Sequence, residues 1–144
     1  IDPSRIASIE AYAEEAGLPN LKAALPLDAC VGKWGDSFAG QHLIVLTNLL
    51  HLISGSEAQT LITQVAQALA GGGRLIIYGP FMRSGVLTSE GDRAFHRSLT
   101  DQDAEIGYKD DVATLELGRR AGLDVKEVVE TPANNLALIF SRRV

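Results

Sequence analysis

Two almost uninterrupted apolar runs, Leu43 to Leu50 (LIVLTNLL) and Leu75 to Tyr78 (LIIY), bracket one amphipathic segment, and this arrangement limits what the chain can fold into. A strand wetted on one face alternates apolar with polar residues, whereas a run without alternation suits a strand covered on both faces, as in a parallel sheet. Periodicity alone does not separate such a run from a buried helix. Between the runs, Ser54 with Glu57 three residues on has capping-box spacing. Leu61, Val65, Ala68 and Leu69 follow as one apolar stripe, and Gly71-Gly72-Gly73 supplies a helix stop. Strand, helix, strand in this order predicts an α/β sheet with mainly parallel pairing, its second strand stopped by Gly79-Pro80.

The flanking segments extend the pattern. Asp2-Pro3 reads as a helix cap with proline in the first turn, Ile6, Ile9, Ala13 and Ala16 share one helical face, and Gly17-Leu18 ends it. Leu21 to Leu27 is short and apolar enough for a strand, with Asp28 at its end. Residues 81–110 are polar and irregular apart from a short helix around Phe95 and Leu99, the composition of a lid or binding loop. Asp110 or Asp111 caps a further helix through Val112, Leu115 and Arg119, ended by Gly122. Val125 to Thr131 and Leu136 to Ser141 close the chain as an antiparallel pair around the Pro132-Ala133-Asn134-Asn135 turn.

Composition narrows the functional classes. A chain of 144 residues predicts one domain, 1–144. Hydrophobic residues at 46% and charged residues at 22% fit a folded globule. A net charge of −5 disfavours non-specific nucleic-acid binding, and no apolar run reaches the roughly 20 residues of a membrane span. The single cysteine, Cys30, excludes an internal disulfide framework and fits a reducing, cytoplasmic setting. Neither Cys30 nor His42 sits at metal-ligand spacing, so no metal site is expected. Such a chain suits a small-molecule or protein partner.

GGGRLIIYGPF at Gly71 to Phe81 resembles the segment around the fifth strand of class I S-adenosylmethionine-dependent methyltransferases. Leu27-Asp28-Ala29 resembles the end of their third strand, and Leu43 to Ser54 the fourth strand with its loop. YGPF at Tyr78 to Phe81, Gly107-Tyr108-Lys109-Asp110 before a helix, and PANN at Pro132 to Asn135 ahead of Leu138-Ile139-Phe140 narrow the match. Together they resemble one uncharacterised methyltransferase-like family of bacteria and animals that carries a C-terminal PANN signature. The resemblance spans essentially the whole chain. The chain departs from that family at Lys109, where an arginine is usual, and in the lid, with Asp92 for asparagine and Phe95-His96 for a Phe-Asp pair. Lysine keeps the charge at 109 but loses the planar fork of a bidentate contact.

The resemblance implies a Rossmann-like sheet in the order 3-2-1-4-5-7-6, with S-adenosylmethionine at the carboxyl ends of the strands and S-adenosylhomocysteine as product. In that fold the first strand leads into a glycine-rich loop that approaches the cofactor closely. No such strand-loop-helix occurs here, and the chain opens Ile1-Asp2-Pro3-Ser4 without methionine. The expectation is therefore an N-terminally truncated sheet, strands 1 and 2 lying upstream of Ile1. The edge at Leu43 to Leu50 is then expected to be covered by the absent segment or by a second copy, since a bare apolar edge invites pairing. The 144 residues alone are expected to bind the cofactor weakly and to be inactive.

Candidate site residues follow, each beside its structural alternative. Asp2 is a helix cap that can also face the ribose. Asp28, with Ala29, is a turn former or an adenine contact. Asn48 is expected at the cofactor cleft, where an amide both donates and accepts. His51 is a general base near neutral pH or a hydrogen-bonded structural histidine. Tyr78 orients a methyl acceptor or is a buried tyrosine with its hydroxyl satisfied. Lys109, Asp110, Asn134 and Asn135 are the substrate-side candidates, the asparagines doubling as turn formers. Arg93, His96 and Arg97 form a small basic cluster that is a solvated helix face or an anion contact. The function implied is methyl transfer to a small acceptor. Its alternative is a non-catalytic binding or scaffold protein on the same fold. A dehydrogenase is disfavoured because its dinucleotide fingerprint is absent.

Overall fold

One 14-residue strand runs through the middle of the sheet and pairs with three others. The computed structural model describes residues 3–144, so the Asp2 reading lies outside the described residues. In chain order the regular elements are α1 (Pro3–Ala16), β1 (Gln41–Thr47), α2 (Gly55–Ala68), β2 (Leu69–Met82), α3 (Glu90–Thr100), β3 (Lys109–Asp110), α4 (Asp111–Arg120), β4 (Leu123–Thr131) and β5 (Asn135–Arg142). The sheet order is β1-β2-β5-β4, with the short β3 also on β2. β1 and β2 are parallel, with Val45 opposite Ile76. β5 is antiparallel to both β2 and β4. This is a methyltransferase-like α/β sheet, equal in order to the 4-5-7-6 half that the resemblance implied.

Local chemistry explains the elements around β2. The capping box forms as its spacing predicts: Glu57 N donates to Ser54 Oγ at 3.2 Å, and Ser54 N donates to the Glu57 carboxylate at 2.7 Å. Helix α2 stops at Ala68, earlier than the glycine triplet suggested, because Leu69 is already extended. The glycines instead form an irregularity where β2 meets β1. A Cβ on Gly73 would lie 2.7 Å from the Gln41 carbonyl oxygen. Nor do Gly79-Pro80 end the strand. They pair with Leu136 and Asn135, and Pro80 is tolerated at the end of that ladder, where no further N–H is required.

The core lies on one side of the sheet. Leu75, Ile77, Phe81, Leu136, Leu138 and Phe140 point under α2 and pack with Leu61, Ile62 and Val65. Helix α4 approaches β5 so closely that a Cβ on Gly118 would sit 2.3 Å from Phe140 Cε1. The expectation that the apolar runs are covered on both faces is corrected here. Leu43 and Val45 are more than half exposed, while Ile44 and Leu46 turn toward the core. The helices that cover the sheet, α2 and α4, sit on its other face, and the apolar residues of α1 are not buried against β1: Ile9 and Tyr12 are exposed.

Two further expectations are revised. Leu21 to Leu27 forms no strand, and Leu21 and Leu25 are exposed. A strand needs a neighbour for its N–H and C=O groups, and no described strand lies beside this stretch. The strand read over Leu43 to Leu50 ends at Thr47, after which Leu50–Leu52 make a 3-10 turn. The helix expected around Phe95 and Leu99 is present as the 11-residue α3, capped by Ser89 Oγ accepting from Asp92 N at 3.0 Å. No described helix is long and apolar enough to cross a membrane.

Gly118→Ala tests the α4–β5 contact. Phe140 is fully buried and cannot move aside, so the added methyl overpacks the core. Thermal or denaturant unfolding should show a loss of about 1–3 kcal/mol.

Candidate functional site

At the carboxyl ends of β1 and β2, Asn48, His51, Leu52, Pro80, Phe95, Tyr108 and Asn135 line an open cleft of about 500 Å³. Open α/β sheets place ligands at the carboxyl ends of their strands. Asn48 turns the chain out of β1 with φ 52°, a left-handed conformation that asparagine tolerates better than most residues. Its amide N donates to the Tyr78 carbonyl at 2.8 Å, which holds the turn against β2. The 3-10 turn after it sets His51 at the cleft floor, 7% exposed.

The far wall comes from the lid and is aromatic. His51 and Phe95 meet edge to face at 5.6 Å, Phe95 and Tyr108 at 6.0 Å, and His51 lies 6.3 Å from Tyr108. The backbone around Tyr108 is tied from both sides. Gly107 N donates to the His51 carbonyl at 3.0 Å, and Tyr108 N donates to His96 Nδ1 at 3.0 Å. Gly107 has φ 128°, and a Cβ there would sit 2.9 Å from the His96 ring, so only glycine fits.

The polar groups divide sharply into occupied and free. Tyr108 Oη donates to Asp92 Oδ1 at 3.1 Å, and Asn135 Nδ2 donates to Tyr78 Oη at 3.0 Å. Asn134 Nδ2 donates to Thr88 Oγ1 at 2.7 Å and to Asp92 Oδ2. Lys109 Nζ donates to the carbonyls of Ile53 at 2.6 Å and Gly107 at 3.0 Å, which binds the lid to the loop after β1. Asp110 caps α4 by accepting from Ala113 N at 2.9 Å, and its other oxygen accepts from Gly85 N. Among the described residues, the side-chain amide of Asn48 and the ring nitrogens of His51 make no hydrogen bond. With Asn135 Oδ1, they are the polar side-chain atoms of the lining that no hydrogen bond occupies among the described residues.

Charge tunes these groups. Burial, then the Lys109 ammonium, pushes His51 below its usual value, so the ring is a free base at neutral pH. Burial also pushes Lys109 down, against the pull of Glu57 and Glu105. Burial, the hydrogen bond to Asp92 and the Asp92 charge push Tyr108 up to about 12, so it stays neutral. The aromatic wall thus carries no charge at neutral pH.

Asp28 and Ala29 lie outside the cleft lining. Asp28 Oδ1 accepts from Cys30 N at 3.0 Å, and the Ala29 carbonyl accepts from Trp34 Nε1 at 3.1 Å. Burial, Glu57 and Asp28 raise the Cys30 thiol, which places this turn beside the start of α2. In the basic cluster, Arg93 pairs with exposed Glu90 and His96 serves the Tyr108 backbone. Among the described residues no group of three His, Cys, Asp or Glu is placed to hold a metal ion. Tyr108 and Phe95 escaped the sequence reading as cleft residues. The one local signal was an aromatic residue directly after the lid glycine, Gly107.

Residues 1–142 match the family described as "Protein of unknown function (DUF938)". Among solved structures, an O-methyltransferase family protein from Burkholderia thailandensis is similar over 95% of this chain and 40% of its own, at 19% identity and TM-score 0.76. PigF with SAH is similar over 99% and 46%, at 16% identity and TM-score 0.75. Human N-acetylserotonin methyltransferase in complex with SAM is similar over 78% and 33%, at 14% identity and TM-score 0.67. The chain therefore spans less than half the length of these structures, and at such identity the likeness is one of fold.

The His51 environment gives a pH signature. Folded His51 resists the proton that the unfolded chain takes up below about pH 6.5, so acidification through that value lowers stability. His51→Gln should flatten this part of the stability-against-pH curve. In NMR titration, Lys109→Met should move the His51 midpoint upward.

Proposed function

We propose for this chain, which belongs to the DUF938 family, S-adenosylmethionine-dependent methyl transfer to a small uncharged acceptor held in the Asn48–His51–Tyr108 cleft. The observation that carries this reading is the pair of free polar groups, Asn48 and His51, at the carboxyl end of β1 beneath an uncharged aromatic wall. The methyltransferase-like fold, shared with solved structures that hold SAM or SAH, supports it.

The donor set fits the adenine and acceptor sides of such a site. Asp28 uses one carboxylate oxygen in its own turn, and its other oxygen makes no hydrogen bond among the described residues. The Asn48 amide is likewise uncommitted. Asp28, Ala29 and Asn48 would hold the cofactor. When bound, its sulfonium supplies an electrophilic methyl group to an in-line nucleophile, a reaction in which alignment provides much of the rate.

The remaining roles belong to this chain's side chains. His51, neutral at physiological pH, accepts the proton of an acceptor that must ionise. Phe95 and Tyr108 press a flat acceptor toward β1 and keep water from the His51 ring. Tyr78 accepts from Asn135 and keeps its own hydroxyl proton for an acceptor atom. Lys109, Asp110 and Asn134 shape the substrate side by fixing the lid.

Calorimetric titration of the natural protein with S-adenosylmethionine and S-adenosylhomocysteine tests the reading. Saturable binding is expected, weakened about tenfold by Asn48→Ala, the equivalent of about 1.4 kcal/mol. Folded protein that gives no heat at millimolar cofactor ends the proposal.

A further inference from the structure

Asp92 is a buried carboxylate without a cation. It is 7% exposed and, among the described residues, pairs with no lysine or arginine. Burial raises its carboxyl, but hydrogen bonds from Ser89, Tyr108 and Asn134 outweigh this and leave it below the usual value. A buried charge held only by neutral donors is an expensive arrangement, and an apolar residue would serve packing better.

Helix capping, through Ser89, explains only part of it. Asp92 stands at the third position of α3 after the Ser89 cap, as Glu57 stands in α2 after Ser54. Glu57 does that work from a partly buried side chain whose carboxylate accepts only from Ser54. Asp92 instead reaches Tyr108, 16 residues away, and Asn134, 42 residues away. Each partner leads to the cleft. Tyr108 is a lining ring. Asn134 precedes Asn135, another lining residue, and the turn that presents both holds Ala133 at φ 60° and Asn134 at φ 58°. Left-handed alanine is strained and persists only where the surroundings over-determine it. The Asn134 carbonyl also accepts from Arg83 Nη2 at 3.2 Å, which adds a second tie to the lid. Phe95, a third lining ring, lies one turn along α3 from Asp92.

We propose that Asp92 is a positioning residue of the cleft: its carboxylate joins Tyr108, Asn134 and the start of α3 at one point, fixing the aromatic wall and Asn135 together. The functional weight of this joint rests on the cleft being the acceptor pocket; the joint itself does not. Asp92→Ala removes the acceptor that Ser89, Tyr108 and Asn134 share. Asp92→Asn can restore the geometry, because the Asn134 amide can turn over and accept from the new Nδ2, with Thr88 donating.

The test uses 1-naphthol, a neutral two-ring phenol, as the probe, with NMR detection on folded wild type, Asp92→Ala and Asp92→Asn. Asp92→Ala should weaken naphthol about tenfold, speed amide exchange in α3 and at Asn135, and make Tyr108 easier to ionise than in the wild type, since the Asp92 hydrogen bond and charge that raise it are gone. Asp92→Asn should recover exchange protection and naphthol affinity to within about twofold while Tyr108 stays easier to ionise. Wild-type exchange and naphthol affinity in Asp92→Ala would overturn the proposal. So would an Asp92→Asn protein as loose as Asp92→Ala, because the charge and not the joint would then be acting. If naphthol binds no variant, including wild type, the acceptor reading fails, and exchange with Tyr108 ionisation still decides the joint.

Discussion

The structure depends on one strand, β2, having different partners along its length. Its early part pairs with β1 in parallel, its middle is flanked by β1 and antiparallel β5, and its last residues, Phe81 and Met82, take β3. A strand so used cannot shift register by one residue without turning Leu75, Ile77 and Phe81 out of the core. That rigidity positions the site. The Tyr78 carbonyl holds Asn48, Pro80 floors the cleft, and the pairing of Met82 with Asp110 returns the lid to the sheet.

Much of this frame was legible because its signals are local. The Ser54–Glu57 box, the Asp110 cap, the turn at Pro132–Asn135 and the apolar run after the glycine triplet each state their structure within a few residues. What failed were statements about neighbours. Leu21 to Leu27 has a strand's composition and no strand beside it. Leu43 and Val45 read as buried because apolar runs usually are, yet whether a face is covered depends on where distant helices pack. The bounds of β1 and β2 moved for a related reason: a ladder ends where partners end, not at a glycine or proline.

The site divides along the same line. Asn48 and His51 were readable, since a polar residue closing an apolar strand belongs at the strand's carboxyl end. Tyr108 and Phe95 were not, because their place in the wall is fixed by contacts across 12 residues or more, such as Tyr108 N on His96 and Gly107 N on His51. Hydrogen-bond occupancy, visible only in three dimensions, then separates two kinds of candidate. Lys109, Asp110 and Asn134 spend their polar atoms on the protein itself. The Asn48 side-chain amide and the His51 ring make no hydrogen bond among the described residues.

The uncovered face of the sheet also has a thermal consequence. Apolar groups that are wet in both the folded and unfolded chain contribute nothing to the heat-capacity increment of unfolding, which follows newly exposed apolar area. Leu43, Val45 and the outer residues of α1 belong largely to that class. The stability of these residues is therefore a shallow function of temperature. Anything that covers the face deepens the curve and, by mass action, makes its height depend on concentration.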